Sequence, residues 1–161
     1  NLSVWIHSLA GVTWVGLLYY FNFVQVPAMA DALADEGGPG PAAIGKYVAP
    51  RALLWFRMSA AVTWLTGAWA LSLGYGFTNA FLLKPGAEMI GLGSWLGTIM
   101  LFNVWVLIWP NQKKILGMVE ASAEEIAKAK FTAAMASRTN VVLSVPMLLC
   151  MIGAGHGGYL F

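Results

Sequence analysis

NLSVWIHSLAGVTWVGLLYYFNFVQ, residues 1–25, contains no Asp, Glu, Lys or Arg and carries one imidazole, His7. A helix rises about 1.5 Å per residue, so a run of this length covers the ~30 Å hydrocarbon core of a bilayer. The run is too long for a secretory signal and lacks a basic flank and a cleavage site, so it reads as a membrane span. Three further stretches repeat the pattern. Expected spans cover about residues 2–27, 52–75, 90–109 and 141–161, with Pro110 stopping the third and Pro146 tolerated inside the fourth. Composition agrees: the chain is 59% hydrophobic and 10% charged, against about a quarter charged in a soluble domain. The expected fold is all-α, an integral membrane four-helix bundle forming one domain over residues 1–161.

The connectors fix its direction. Residues 30–50, ADALADEGGPGPAAIGKYVAP, form a Gly/Pro/Ala-rich loop without a packing signal. Residues 111–138 contain Ser122 and Glu125 at capping-box spacing. They predict a helix, either on the membrane surface or as an extension of the fourth span. Four spans put both termini on one side. Lys46, Arg51, Arg57, Lys113, Lys114, Lys128, Lys130 and Arg138 fall on the other side, and Lys84 alone on the side of the termini. Basic residues concentrate in cytoplasmic loops. The expected placement is therefore a bacterial inner membrane, multi-pass, with periplasmic termini. The net charge of +2 is not gathered on a soluble face, which leaves the lipid bilayer, not nucleic acid, as the partner. Cys150 is the lone cysteine, so no disulfide framework exists.

This topology sends the second histidine, His156 in MIGAGHGGYLF, to the same side and nearly the same depth as His7. His7, Gly11, Trp14 and Leu18 share one helical face. Gly153, Gly155, Gly157 and Gly158 surround His156, while Gly74, Gly76, Gly91, Gly93 and Gly97 mark the outer ends of the middle spans. Missing side chains at one level leave room for a flat ligand. Two imidazoles supply the axial ligands of a haem, and bundle cores commonly hold cofactors. The expected site is a haem b between His7 and His156, lined by Gly11, Trp14 and Gly153. A structural zinc needs four ligands. Copper would want Met or Cys nearby, and Met151 is the obvious neighbour. Each imidazole also has an ordinary alternative, a hydrogen bond to a headgroup or a carbonyl at a helix end.

A polar set marks the cytoplasmic half: Asn22 and Gln25, then Arg57, Asn103, Asn111, Arg138 and Asn140. Polar groups in a bilayer are costly and face the bundle interior. Arg57 needs an acceptor, with Asn103 or Asn22 in reach. The set is either a hydrogen-bonded clasp or a pocket for a substrate or quinone headgroup read by Arg57 and Arg138. No carboxylate lies inside a span, which argues against a carboxylate proton relay. HSLAGVTWVG at His7 and RMSAAVTWLTG at Arg57 form a faint internal repeat.

HSLAGVTWVGLLYYFNFVQVP, PRALLWFRMSAAVTWLTG, GSWLGTIMLFNVWVLIWPNQKKILG and ASRTNVVLSVPMLL together resemble the urate oxidase N-terminal domain family. That domain is the membrane part of membrane-bound urate oxidases that end in a cytochrome c module. The resemblance implies functional roles for His7, Arg57, Asn103, Asn111, Arg138 and His156. The Cys-x-x-Cys-His motif of the module is absent here, so the likeness implies a shared membrane fold and redox chemistry rather than a covalent haem c or urate as substrate. A more distant likeness is to four-helix membrane protoporphyrinogen oxidases, which also place a histidine early in their first span. The expected function is electron transfer in the membrane, exchanging electrons with a quinone or a cytochrome c. The alternatives are a non-catalytic subunit among other membrane subunits of a respiratory or photosynthetic complex, and a urate- or purine-oxidising enzyme.

Overall fold

The structure, a computed structural model, describes residues 1–157. No strand occurs among the described residues. Helix α1 runs over Leu2–Ala34, α2 over Ala49–Leu73, the short α3 over Phe77–Phe81, α4 over Glu88–Ile115 and α5 over Ala123–Gly155. Three of them, α1, α4 and α5, are long and apolar enough to cross a membrane. At 25 residues α2 has the length, but its two arginines and its Ser and Thr residues make it less apolar.

Three prolines explain where the helices really end. π-helical turns cover Phe21–Gln25, Ile44–Val48 and Asn103–Ile108. Each is followed two residues later by a proline: Pro27, Pro50 and Pro110. A proline lacks the N–H and presses on the carbonyl four residues back, and Phe23, Lys46 and Val106 each lie inside a π turn. The wider turn absorbs the clash and lets the helix continue. The expected stop at Pro110 is therefore corrected, since α4 continues to Ile115, and α1 likewise runs through Pro27 to Ala34.

A second boundary also moves. The separate surface helix expected between the third and fourth spans is instead the first half of α5, one helix of 33 residues, about 50 Å long at ~1.5 Å per residue. It opens on the expected capping box, with Ser122 and Glu125 bonded in both directions. From Ala123 to Val145 it has neither Gly nor Pro. The expected end at residue 161 lies outside the described residues.

The helices pair antiparallel. In α1 against α2, His7 lies opposite Gly67, Gly11 opposite Thr63, and the Phe21 and Phe56 rings meet edge-on at 5.5 Å. In α4 against α5, Gly93 abuts Cys150 and Met151. The Tyr19 and Ser144 hydroxyls, 2.8 Å apart, join α1 to α5, and the Trp64 indole N–H donates to the Thr98 hydroxyl at 2.9 Å to join α2 to α4. Trp14, Leu18, Phe56, Met100, Val104 and Met147 fill the shared core. Val12, Trp5, Trp55 and Val142 face outward. Contiguous apolar surface of this kind is costly in water and solvated in lipid.

Candidate functional site

His7 sits in the seam between α1 and α2, with Nδ1 2.8 Å from the Thr63 carbonyl. A carbonyl only accepts, so Nδ1 is the donor in this bond, and Nε2 is the nitrogen left for any other partner. Gly67 makes the seat possible. A Cβ there would stand 2.9 Å from the imidazole Cε1 and 3.0 Å from Nδ1, too close for either atom to stay. Thr63 and Gly67 are one helical turn apart, so the exposed carbonyl and the missing side chain form one notch. The sequence alone pointed to neither residue. The signal lay in the four-residue spacing of Thr63 and Gly67 opposite a histidine on another helix.

His156 caps the C-terminal end of α5 and is exposed. Its backbone N–H donates to the Gly153 carbonyl at 3.1 Å, and Nδ1 donates to the Ile152 carbonyl at 2.8 Å. Nε2 is again the nitrogen left for any other partner. Helices α1 and α5 are bonded at Tyr19–Ser144 and Asn22–Ser137. Extended outward at ~1.5 Å per residue, that register puts residues 152–156 level with His7. The rings are held by separate carbonyls, one on α2 and one in the last turn of α5.

Helix contacts take up part of the expected glycine slot. Gly91 closes on the Ala80 carbonyl and Leu83, Gly93 on Cys150 and Met151, and Gly11 on the Thr63 methyl. Gly153 is buried, while Gly97 and Gly155 face open space. Gly158 lies outside the described residues. Trp14, on the His7 face, is 2% exposed and its Nε1 has no hydrogen-bond partner. A cavity of about 480 Å³ opens beside the end of α5, lined by Tyr75, Glu88, Met89, Ala154 and Gly157. Among the described residues no three His, Cys, Asp or Glu side chains gather as a metal cage.

The polar set divides. Asn103 donates to the Asn140 side-chain oxygen at 2.8 Å, and Asn140 donates to the Met100 carbonyl at 3.0 Å, both buried. Asn22 donates to the Ser137 hydroxyl and the Leu18 carbonyl, each at 2.8 Å. Arg57 is a correction: its guanidinium lies 3.7 Å above the Trp109 ring, a cation–π contact, and not on Asn103 or Asn22. Both amides are already engaged elsewhere. Asn111 donates to the Leu107 carbonyl of its own helix at 2.7 Å, and Arg138 is exposed, so neither joins the buried pair. Gln25, 8% exposed, keeps an unpartnered Oε1.

Fold and side chains together define an all-α protein with three membrane-length helices, a buried amide pair and two imidazoles bound through Nδ1. A family model described as urate oxidase N-terminal matches residues 75–161, more than half of the chain, and the chain belongs to that family. The match takes in α3, α4 and α5 with His156, while His7 and Arg57 precede it. No curated protein and no solved structure matches the chain.

Proposed function

We propose that the chain is an inner-membrane electron-transfer protein in which His7 and His156 would hold one b-type haem between them. The Nδ1 bonds of the two rings carry this reading. Each commits Nδ1–H to a backbone carbonyl, the bond that orients metal-ligating histidines and raises the basicity of the other nitrogen. Both residues thus fit the group chemically, and the unpaired Trp14 donor on the His7 face suits a cofactor acceptor. Haem in such a site supplies reversible one-electron transfer. The protein's part is to hold the imidazoles through Thr63, Gly67 and Ile152 and to exclude water with the core around Trp14. A quinone or a cytochrome c is the exchange partner.

The reading includes α2 as a fourth span, because it runs antiparallel along α1 from Phe56 to Gly67 and so shares its slab. It places both termini on the periplasmic side, opposite the cluster of basic residues. The family description favours a second reading, oxidation of urate or another purine.

Absorption of the dithionite-reduced protein, purified in detergent, tests the choice. A b-type alpha band that disappears in His7→Ala and in His156→Ala is expected. Well-folded protein without haem overturns the leading reading. Urate consumption by such haem-free protein would establish the second, and fixed stoichiometry in a larger complex would make the chain a packing subunit.

A further inference from the structure

We propose that the groove between α1 and the start of α2 binds an anionic phospholipid, with the acyl chain in the groove and the phosphate on Arg51. Val12, Gly16, Leu17 and Trp55 line an open groove of about 550 Å³ whose wall is almost wholly apolar, and Tyr47 and Arg51 stand at its other end. Gly16 gives it depth, since nothing lies within 4 Å of where its Cβ would be. The opposite end is basic. Arg51 is exposed and donates once, to the Tyr47 carbonyl at 2.6 Å. A guanidinium has five N–H donors in a fork that matches phosphate oxygens, so most remain for a ligand. The Lys46 ammonium lies 5.3 Å from the Tyr47 ring centre, adding a second positive charge to the same end.

This pattern selects the occupant. An acyl chain needs an apolar channel, and an anionic headgroup needs fixed cations where that channel meets water. The exposed Trp55 and Tyr47 are the residue types that settle at that boundary. A zwitterionic lipid would offer Arg51 the same phosphate but bring a quaternary ammonium beside Arg51 and Lys46, and a soluble phosphate would leave the apolar channel unfilled. The site lies on the outer side of the α1–α2 pair and uses neither histidine, so it is independent of the haem reading.

Native mass spectrometry of the detergent-solubilised full chain tests it, titrating phosphatidylglycerol against phosphatidylcholine of the same chain length. Retention of phosphatidylglycerol should exceed that of phosphatidylcholine roughly fivefold, the effect of about one basic residue at a membrane surface. Arg51→Gln should erase the preference, and Lys46→Gln should reduce it. Gly16→Leu should weaken both lipids by filling the groove. Lys84→Gln, at the far end of the molecule, should change nothing, and haem content should be the same in all four variants. Equal retention of the two lipids overturns the proposal. So does a loss in Lys84→Gln as large as in Arg51→Gln, an unaffected Gly16→Leu, or equally strong binding of glycerol phosphate.

Discussion

At the contact of α4 with α5, Asn103 gives an amide proton to Asn140, and Asn140 gives its own to the Met100 carbonyl. Near the start of α1 and at the end of α5, His7 and His156 each bind one carbonyl through Nδ1 and direct no described hydrogen bond through Nε2. Both regions place polar groups among apolar helices, yet one pairs two amides across helices while the other bonds each ring at one nitrogen. Buried amide bonds between helices tie the helices together without any ligand. The proposed function gives the free ring nitrogens a role, since metal-ligating histidines are oriented by a bond of this kind at their other nitrogen.

Removing the amide pair should have the largest structural effect. Asn140→Leu strands the Asn103 amide and one accepting position on the Met100 carbonyl. A loss of about 2 kcal/mol in unfolding from detergent is expected, from two interhelical bonds and an imperfect fit. The haem band of the folded fraction should be unchanged. A loss below about 0.5 kcal/mol would mean that the amide layer is incidental.

The histidine end should respond the other way. Gly67→Val drives a methyl-bearing carbon into the imidazole, costing about 1–2 kcal/mol as overpacking does. Haem occupancy should fall by more than this modest destabilisation would account for. Full occupancy in a destabilised Gly67→Val would show that the Thr63 seat does not position the ligand. Trp14→Phe is a finer probe of the same end. Without cofactor it deletes an orphan donor from the core, so its stability should stay within about 1 kcal/mol of the parent. A much larger loss would reveal a partner for Nε1.

The smallest effect concerns the exposed start of α5. The Ser122 backbone N–H, then its hydroxyl, and the nearby Lys114 charge hold the Glu125 carboxyl below the usual carboxylate range. A carboxyl lowered in the folded state stabilises that turn above its unfolded pKa, and the contribution fades as pH falls through that value to the folded one. Amide exchange at residues 122–126, corrected for intrinsic rates, should therefore speed up on acidification below about pH 4. The amide layer should show no such change. Flat protection across that range would contradict the capping assignment.

These contrasts also mark what was readable beforehand. Long uncharged runs exposed the membrane-length helices, because a bilayer demands length and apolarity that few other settings do. Pro110 misled as a stop because the compensating π turn lies upstream and belongs to the backbone, not to any side-chain pattern. The continuity of α5 followed from an Ala-rich stretch free of Gly and Pro, yet only packing chose between the two expectations for it. The common depth of His7 and His156 came from topology and agrees with the α1–α5 register. The direction of His7 did not, because Thr63 and Gly67 on another helix decide it. The same holds for Arg57, whose partner Trp109 lies 52 positions away in sequence and offers a ring face where an acceptor was sought.

Electron paramagnetic resonance of the oxidised, detergent-purified protein tests the central claim most directly, because it reads the axial ligands themselves. The account predicts a low-spin ferric signal of the two-imidazole type, replaced by a high-spin signal or lost in His7→Ala and in His156→Ala alike. A low-spin signal that survives either substitution, or no haem signal in folded protein, would contradict it.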